Sequence, residues 1–329
     1  MSDLGKPRKA AGLEPSQPAG ADRFAAERRR FLAEGAALGG GGILASLGLS
    51  RYAAAQAPAA SGGKTPPRFR FTPMPPVPKV SQPAPLADLR GKVAYISASS
   101  DGIGLGIARA ASLAGMKVCI GYRNPERLAA ALPLFKPGNA GVFPIKHDVT
   151  DRQGWARMLE QVKDKYGKLH LVVNNAGDKT FSRASNVSAK EWSNAVAVNF
   201  TATYNSVATC LPHMLEHGEG GHFVVTSSMS GLLPGGPLGV YTSTKIAVVG
   251  LIEALRVELE DTSVGTSAFC PGGVNTDNWI GTGKEDPYRK AHPLPARFRN
   301  RFKGPPPGMD PLEAGKRVMN GVIHNDLFI

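Results

Sequence analysis

The chain has 329 residues, of which 42% are hydrophobic and 20% are charged. This composition excludes a disordered chain, a collagen-like fibre and a small disulfide-stapled protein. Lys and Arg outnumber Asp and Glu by 39 − 26 = 13, and such a basic balance is compatible with a nucleic acid, an anionic surface or an acidic ligand as partner. No aromatic–basic motif accompanies the charge, so we do not expect nucleic-acid binding.

The cysteines and apolar runs narrow the class further. No run reaches about 18 strongly apolar residues, the length that predicts a membrane-spanning helix. The three cysteines, Cys119, Cys210 and Cys270, lie in apolar or helical contexts without the spacing of a metal site. We therefore expect three buried thiols and no bound metal.

Residues 1–55 contain the parts of an export signal in the right order. They carry, in turn, the basic run 28–30, the uncharged Gly-, Ala- and Leu-rich segment 35–50 and the small residues 53–57. Paired arginines followed by an aromatic residue and leucine resemble the twin-arginine signal, which implies export to the periplasm as a folded protein and cleavage after Ala55 or Ala57. The alternatives are an uncleaved leader that anchors the protein in a membrane, or a disordered tail on a cytoplasmic protein.

A Pro-rich segment, 56–88, follows the leader. Closely spaced prolines favour extended polyproline conformations and cannot build a regular core. We expect a spacer, or an arm that lies on the body or on a partner subunit. The folded body is therefore predicted to be 89–329.

Within the body, short apolar runs alternate with helical patterns. Strands are predicted at 93–97, 117–121, 141–146, 169–174, 222–227 and 266–270, with 327–329 as a candidate final strand. Helices are predicted at 103–114, 123–132, 153–166, 190–216, 241–260 and 312–324. This alternation predicts a single α/β domain with a Rossmann-like, doubly wound parallel sheet.

A glycine-rich turn connects the first predicted strand to the first helix. Its sequence, Ser97 to Gly104, reads SASSDGIG. Glycines let the backbone approach a diphosphate, whose charge is stabilised by the free amides of a helix N-terminus. The position of this turn after the first strand favours dinucleotide binding.

Four further motifs follow in order: NNAG at 174–177, the serine pair 227–228, YTSTK at 241–245 and PGGVNT at 271–276. Together with the turn, they resemble the compact single-domain branch of the short-chain dehydrogenase/reductase family, over about residues 88–329. One departure is visible: the turn begins Ser97-Ala98 where the family usually has Thr-Gly. Ala98 lacks the conformational freedom of glycine, so we expect an altered turn.

Tyr241 and Lys245 are four residues apart on a predicted helix and therefore share a face. A free phenol has a pKa near ~10, too high for a base at neutral pH. A nearby ammonium group favours the phenolate, and an oxidised nicotinamide would add to the effect. We therefore expect Lys245 to lower the pKa of Tyr241, which would then exchange a proton with an alcohol or carbonyl.

The resemblance implies two more catalytic residues. Ser228 would hold the substrate oxygen, with its neighbour Ser227 as the alternative. Asn199 would anchor a water linked to Lys245; the alternative is a polar side chain facing solvent. The implied reaction is hydride transfer between a nicotinamide cofactor and a secondary alcohol or ketone. The alternatives are a non-catalytic NADP-binding redox sensor or scaffold and an epimerase or dehydratase of the same family.

The resemblance also implies cofactor contacts, which extend from the diphosphate to the adenine, the adenosine ribose and the nicotinamide. The residues concerned are Ser97, Ser99, Gly102, Ile103 and Gly104 (diphosphate); Asp148 and Val149 (adenine); Asn175, Ala176 and Gly177 (ribose); and Pro271, Gly272, Val274 and Thr276 (nicotinamide), together with Tyr241 and Lys245.

The choice between NAD and NADP depends on the end of the second strand. An acid there would bind the ribose 2′-hydroxyl and repel a 2′-phosphate. Tyr122 stands at that position, and Arg123 follows with a guanidinium group suited to phosphate. We therefore expect NADP with Arg123 as a ligand, although NAD stays open because Asp101 lies in the turn, where some NADP-binding relatives have a basic residue.

The segment 277–310 would cap the substrate, as in the family. Seven of its residues are basic between 284 and 303, against Glu285 and Asp286. This charge is consistent with a solvated face or a subunit contact, or alternatively with an anionic substrate or membrane surface. The resemblance also implies a homodimer or homotetramer formed through the helices at 190–216 and 241–260.

Overall fold

The structure is a computed structural model that describes residues 84–135, 141–180, 182–234, 238–276 and 308–329. Among these residues, six strands form one parallel sheet in the order β3-β2-β1-β4-β5-β6. The strands are β1 (Val93–Ile96), β2 (Lys117–Tyr122), β3 (Val142–Lys146), β4 (Leu171–Asn174), β5 (Gly221–Thr226) and β6 (Val264–Phe269). The helices are α1 (Gly102–Leu113), α2 (Pro125–Ala131), α3 (Arg152–Tyr166), α4 (Ala189–Val196), α5 (Ala202–His217), α6 (Gly239–Glu258) and α7 (Pro311–His324). The predicted leader (1–55), most of the arm (56–88) and most of the cap (277–310) lie outside the described residues.

Helices cover both faces of the sheet, which explains why the central strands are apolar throughout. Every residue of β1 and β4 is buried. One face packs against α1 and α7 around Ile96, and the other packs against α3 and α5 around Trp155. The predicted fold class, a doubly wound Rossmann-like α/β domain, is confirmed.

Helices α1 and α7 cross in direct backbone contact. A Cβ atom on Gly106 would overlap the carbonyl oxygen of Pro311, and one on Gly315 would overlap the carbonyl oxygen of Gly106. Only glycine permits this approach. The glycine-rich turn leads directly into α1. Contact with α7 therefore fixes the orientation of the N-terminus of α1, which borders the turn.

The predicted helix at 190–216 is interrupted. Between α4 and α5, the segment Ala197–Thr201 forms a π-helical turn. Such turns insert one residue into the helical repeat and often occur at functional sites. Asn199 lies inside this turn, which places its side chain differently from a residue of a regular helix.

The last residues of the chain extend the sheet. The amide of Ala268 donates to the carbonyl of Leu327, and the amide of Ile329 donates to the carbonyl of Ala268. The candidate final strand at 327–329 is thus a short parallel pairing beside β6. The three cysteines are buried free thiols, as predicted. Within the described ranges, no helix combines the length and apolar character needed to cross a membrane.

Candidate active site

A crevice opens at the carboxyl ends of the central strands. β1 has β2 on one side and β4 on the other. The connection after β1 leads to β2 and the connection after β4 leads to β5, so these two loops diverge, as at the ligand sites of doubly wound sheets. The predicted site residues lie on the loops that follow the six strands, at the start of α1, in the π-helical turn or in α6.

The glycine-rich turn fits a diphosphate. Asp101 caps α1 by accepting a hydrogen bond from the amide of Gly102 at 2.6 Å. A Cβ atom on Gly104 would lie 2.5 Å from Nδ2 of Asn175 and would overlap the carbonyl oxygen of Ala98. Because Gly104 has no side chain, the backbone at Ala98 packs directly against the N-terminus of α1. The free amides of a helix N-terminus favour an anion such as a diphosphate.

Ala98 occupies a backbone conformation that favours glycine, with φ of +48°. The left-handed region costs a residue with a Cβ atom about 1–2 kcal/mol. The departure seen in the sequence therefore leaves the turn in place but strained.

Two predicted cofactor residues serve the turn itself. Ser97 accepts hydrogen bonds from the amides of Asn175 (2.9 Å) and Ala176 (3.1 Å) through its hydroxyl oxygen. Ser99 is fully buried; its hydroxyl donates to Ile96 and its amide donates to Gly121. The amides and hydroxyls of both serines are thus bonded inside the protein, and these bonds hold the turn in shape.

Hydrogen bonds connect the turn to the neighbouring loops. Nδ2 of Asn175 donates to the carbonyl of Ala98 at 3.2 Å, and the hydroxyl of Thr226 donates to Oδ1 of Asn175 at 3.2 Å. The loop after β6 also reaches the turn, since a Cβ atom on Gly102 would lie 3.3 Å from Cγ2 of Thr276. The loops after β1, β4, β5 and β6 thus form one surface around the crevice.

The remaining residues of the predicted cofactor set lie along this surface with different exposure. Gly177, Gly272 and Asp148 are exposed, whereas Val149, Val274 and Thr276 are buried. Ile103, Ala176 and Pro271 are intermediate. The three buried residues can contact a ligand only where the ligand is itself enclosed by the crevice.

Tyr241, Lys245 and Ser228 are brought together. The hydroxyl groups of Tyr241 and Ser228 are hydrogen-bonded to each other, and Nζ of Lys245 lies 5.6 Å from the centroid of the Tyr241 ring. Lys245 donates from Nζ to the carbonyl of Thr226 at 2.7 Å. Ser227 is buried and donates instead to the backbone carbonyl of Lys245 at 2.9 Å. Of the two serines, Ser228 is therefore the one placed to meet a substrate.

Asn199 is buried and fully engaged. Its Oδ1 accepts from the amide of Asp178 at 2.6 Å, while its Nδ2 donates to the carbonyl of Asp178 at 2.9 Å and to the hydroxyl of Thr244 at 3.0 Å. The alternative of a solvent-facing side chain is wrong. The side-chain amide of Asn199 thus connects the loop after β4, at Asp178, to α6, at Thr244, the residue before Lys245.

Burial controls the electrostatics of the pair in the protein alone. Burial lowers the pKa of Lys245 to about 8. Burial also raises the pKa of Tyr241, and the hydrogen bond with Ser228 offsets this only in part. The expected lowering of the Tyr241 pKa by Lys245 is therefore wrong for the protein alone, where loss of hydration dominates.

The adenosine end of the crevice carries two ion pairs. Helix α2 begins at Pro125 rather than 123, because Asn124 caps it, and Arg123 stays on the loop. Arg123 lies 3.5 Å from a carboxylate oxygen of Asp148, and Arg127 lies 3.0 Å from one of Asp101. The sequence analysis did not predict a role for Arg127. Its position in the first turn of the helix that follows the second strand could have indicated one.

No group of three or more His, Cys, Asp or Glu side chains in the described part of the chain is arranged to hold a metal ion. The site consists of hydroxyl, amine and amide groups at the carboxyl ends of the strands. The fold and these groups define a dinucleotide-binding α/β protein.

Comparison with known proteins identifies the class more closely. The sequence model described as short chain dehydrogenase matches residues 92–286, and the chain belongs to the short-chain dehydrogenase/reductase family. It is 31% identical to an uncharacterized oxidoreductase of Staphylococcus epidermidis, over 60% of this chain and 84% of the relative. It is 34% identical to a glycine betaine reductase of Emericella nidulans over 59% of this chain, but this match spans only 15% of that longer relative.

Solved structures agree with this family. A short-chain dehydrogenase/reductase of Burkholderia phymatum in complex with NAD is similar, with a TM-score of 0.66, 26% identity and coverage of 74% of this chain and 89% of the other. The apo form of LigO from Sphingobium has a TM-score of 0.61 at 30% identity, covering 74% and 82%. The chain is an NAD(P)-dependent oxidoreductase.

Proposed function

We propose that this protein interconverts a secondary alcohol and a ketone with NADP, using Tyr241 as the proton donor and acceptor. The observation that carries the proposal is the hydrogen bond between Tyr241 and Ser228 beside Lys245. A substrate oxygen that joins these two hydroxyls would lie where a proton can be given or taken. A bound nicotinamide supplies the hydride acceptor or donor.

Each residue has a separate task. Ser228 orients the substrate oxygen, and Tyr241 gives a proton to it in reduction or takes one in oxidation. Lys245 keeps a positive charge at neutral pH, because its pKa is about 8, and this charge stabilises the phenolate that remains after proton donation. Asn199 holds the loop at Asp178 against α6, and a water carried by this loop would link Lys245 to solvent.

The preference for NADP is supported by the end of β2. No acid follows Tyr122, and the exposed guanidinium of Arg123 is free to turn toward a 2′-phosphate, because its contact with Asp148 is long and solvent-exposed. Exposed ion pairs contribute only about 0–1 kcal/mol. Bidentate bonds from a guanidinium to phosphate are stronger.

The substrate is a small alcohol or carbonyl compound, and the basic residues of 284–303 favour an anionic one. These residues, including Arg297, Arg299 and Arg301, follow the loop that ends at Thr276. A cationic cap would raise the local concentration of an anion. Replacement of the three arginines by Ala is expected to lower turnover of anionic substrates without changing turnover of neutral ones; equal loss for both would contradict this.

Export through the twin-arginine route and assembly into a homo-oligomer complete the proposal. The end of the arm contacts the body at Pro85, whose carbonyl lies next to Gly220 at the amino end of β5. That end lies opposite the crevice, so a leader would not obstruct a cofactor loaded before export.

The exposed apolar side chains of α4, α5 and α6, namely Trp192, Tyr204, Leu215, Ile246 and Val257, support a subunit interface.

The decisive experiment follows NADPH oxidation with a panel of ketones and aldehydes. Tyr241→Phe removes one oxygen and is expected to lower kcat/KM by about 10²–10⁴-fold. Tyr166→Phe is the matched control, since Tyr166 lies on α3 with its hydroxyl on the carbonyl of Gly141, and it should retain full activity. Unchanged turnover in Tyr241→Phe would refute the mechanism, and nucleotide binding without turnover of any substrate would favour a sensor.

A further inference from the structure

Two exposed guanidinium groups flank the carboxyl end of β2. Arg123 directly follows the strand, and Arg127 lies in the first turn of α2, which begins two residues after Arg123. Arg127 lies 3.0 Å from Oδ2 of Asp101, which belongs to the glycine-rich turn. A cofactor that ran from the start of α1 to the end of β2 would come close to both groups.

Asp101 alone would oppose a phosphate at this place, but both of its oxygens are engaged. Oδ1 accepts from the amide of Gly102 at 2.6 Å, and Oδ2 accepts from Arg127 at 3.0 Å. The carboxylate therefore faces its own turn and α2. Its charge is compensated, and it holds the guanidinium of Arg127 at the edge of the crevice.

We propose that Arg127 is a second ligand of the 2′-phosphate of NADP and that Asp101 is its positioning residue. The inference rests on the proposed preference for NADP and adds a residue to it. A phosphate has three acceptor oxygens, and two guanidinium groups arriving from different elements can satisfy them together. Because the Asp101–Arg127 pair is exposed, sharing Arg127 with a phosphate costs little.

An opposite role for Asp101 makes a different prediction. A carboxylate in this place that accepted a ribose hydroxyl would favour NAD. In that case, the charge of Asp101 would strengthen binding of a nucleotide without a 2′-phosphate. The two roles are therefore separable by ligands that differ only in that group.

The test uses the full chain and calorimetric binding of 2′,5′-ADP and 5′-AMP, so that no substrate is needed. Arg127→Ala is expected to weaken 2′,5′-ADP binding at least 10-fold and to change 5′-AMP binding less than 2-fold. Arg157→Ala is the matched control, because Arg157 is an equally exposed guanidinium paired with Asp151 on α3; it should change neither. Unchanged binding of 2′,5′-ADP in Arg127→Ala overturns the inference.

A double variant tests whether Arg127 contacts the phosphate or only neutralises the charge of Asp101. Asp101→Asn keeps an N-cap side chain but removes the charge. If Arg127 contacts the phosphate, adding Asp101→Asn to Arg127→Ala recovers only part of the 2′,5′-ADP affinity and leaves it at least 5-fold below the original. Full recovery would show that Arg127 only neutralises Asp101, and weakened 5′-AMP binding in Asp101→Asn alone would show that Asp101 binds ribose; either result overturns the inference.

Failure of the proposed function gives a different result. If the unmodified protein binds 2′,5′-ADP no better than 5′-AMP, the preference for NADP is wrong and the inference falls with it. If the preference is present and Arg123→Ala removes it while Arg127→Ala does not, the proposed function stands and the inference alone fails.

Discussion

Three buried imidazoles predict that mild acid destabilises the protein. Burial lowers the pKa of His147 to about 4, that of His170 to about 4 and that of His222 to about 3. In the unfolded chain, each would have a pKa near ~6.5. As the pH falls below that value, the unfolded state binds protons that the folded state excludes, so the free energy of unfolding decreases.

The surroundings of His170 and His222 disfavour a second ring proton. Nδ1 of His170 accepts from the amide of Val93 at 3.2 Å. His222 bonds through Nε2 to the hydroxyl of Ser267 at 2.7 Å, and its buried Nδ1 has no hydrogen-bond partner among the described residues. A proton on Nδ1 of His222 would also lie in the field of the Arg256 guanidinium.

The size of the effect follows from the number of protons. Each excluded proton is worth about 1.4 kcal/mol per pH unit, so three give a slope of about 4 kcal/mol per unit between pH 6 and pH 4.5. At pH 6.5 each imidazole of the unfolded chain is already half protonated, so the loss between pH 6.5 and 5 is about 5 kcal/mol, at the lower end of the stability of a typical domain. Cofactor-free protein should therefore be much less stable at pH 5 than at pH 7.

The assay is urea unfolding followed by circular dichroism at several pH values. His222→Gln keeps a donor near the position of Nε2 and does not titrate, so its slope should be smaller by about 1.4 kcal/mol per pH unit. The unmodified protein, followed in the same urea series, provides the reference slope. A free energy of unfolding that stays flat from pH 7 to pH 5 would refute the reasoning.

Three further predictions concern the turn, the helix crossing and the active-site lysine. Ala98→Gly relieves about 1–2 kcal/mol of backbone strain and loses about 0.4–1 kcal/mol through the freer unfolded chain, so thermal unfolding should shift upward by about 2–4 °C; a lower midpoint would contradict the strain. Gly315→Ala should destabilise by about 1–3 kcal/mol in urea unfolding because its Cβ would overlap the backbone of Gly106, whereas helix propensity alone predicts a gain. Carbonyl reduction should decline above about pH 8 as Lys245 loses its proton, and a kcat/KM profile that stays level to pH 10 would exclude this role.

The strands and the order of the site motifs could be predicted from the sequence because they depend on local patterns. Short apolar runs such as 93–97 mark strands covered on both faces. The spacing of four between Tyr241 and Lys245 puts both on one face of α6, as the 5.6 Å separation of amine and ring confirms. The departure at Ala98 was also visible, since the positive φ there is a property of the turn itself.

The features that the sequence did not predict depend on distant packing. The pKa of Tyr241 is set by burial, which arises only when β5, β6 and α6 come together. The role of Arg127 requires α2 to lie over the glycine-rich turn, 26 residues away in the chain. The hydrogen bonds between Asn199, in the π-helical turn, and Asp178 join segments 21 residues apart.

The end of β5, rather than α6 alone, assembles the catalytic pair. Three consecutive residues contact it: the carbonyl of Thr226 accepts from Lys245, the hydroxyl of Ser227 bonds the backbone of Lys245, and Ser228 meets Tyr241. Because neighbouring side chains of an extended strand point in opposite directions, a shift of one residue would exchange the two serines. The bond from the amide of Ser227 to the carbonyl of Phe269, at 2.7 Å, fixes this register. The choice of the reactive serine is thus a consequence of how β5 pairs with β6.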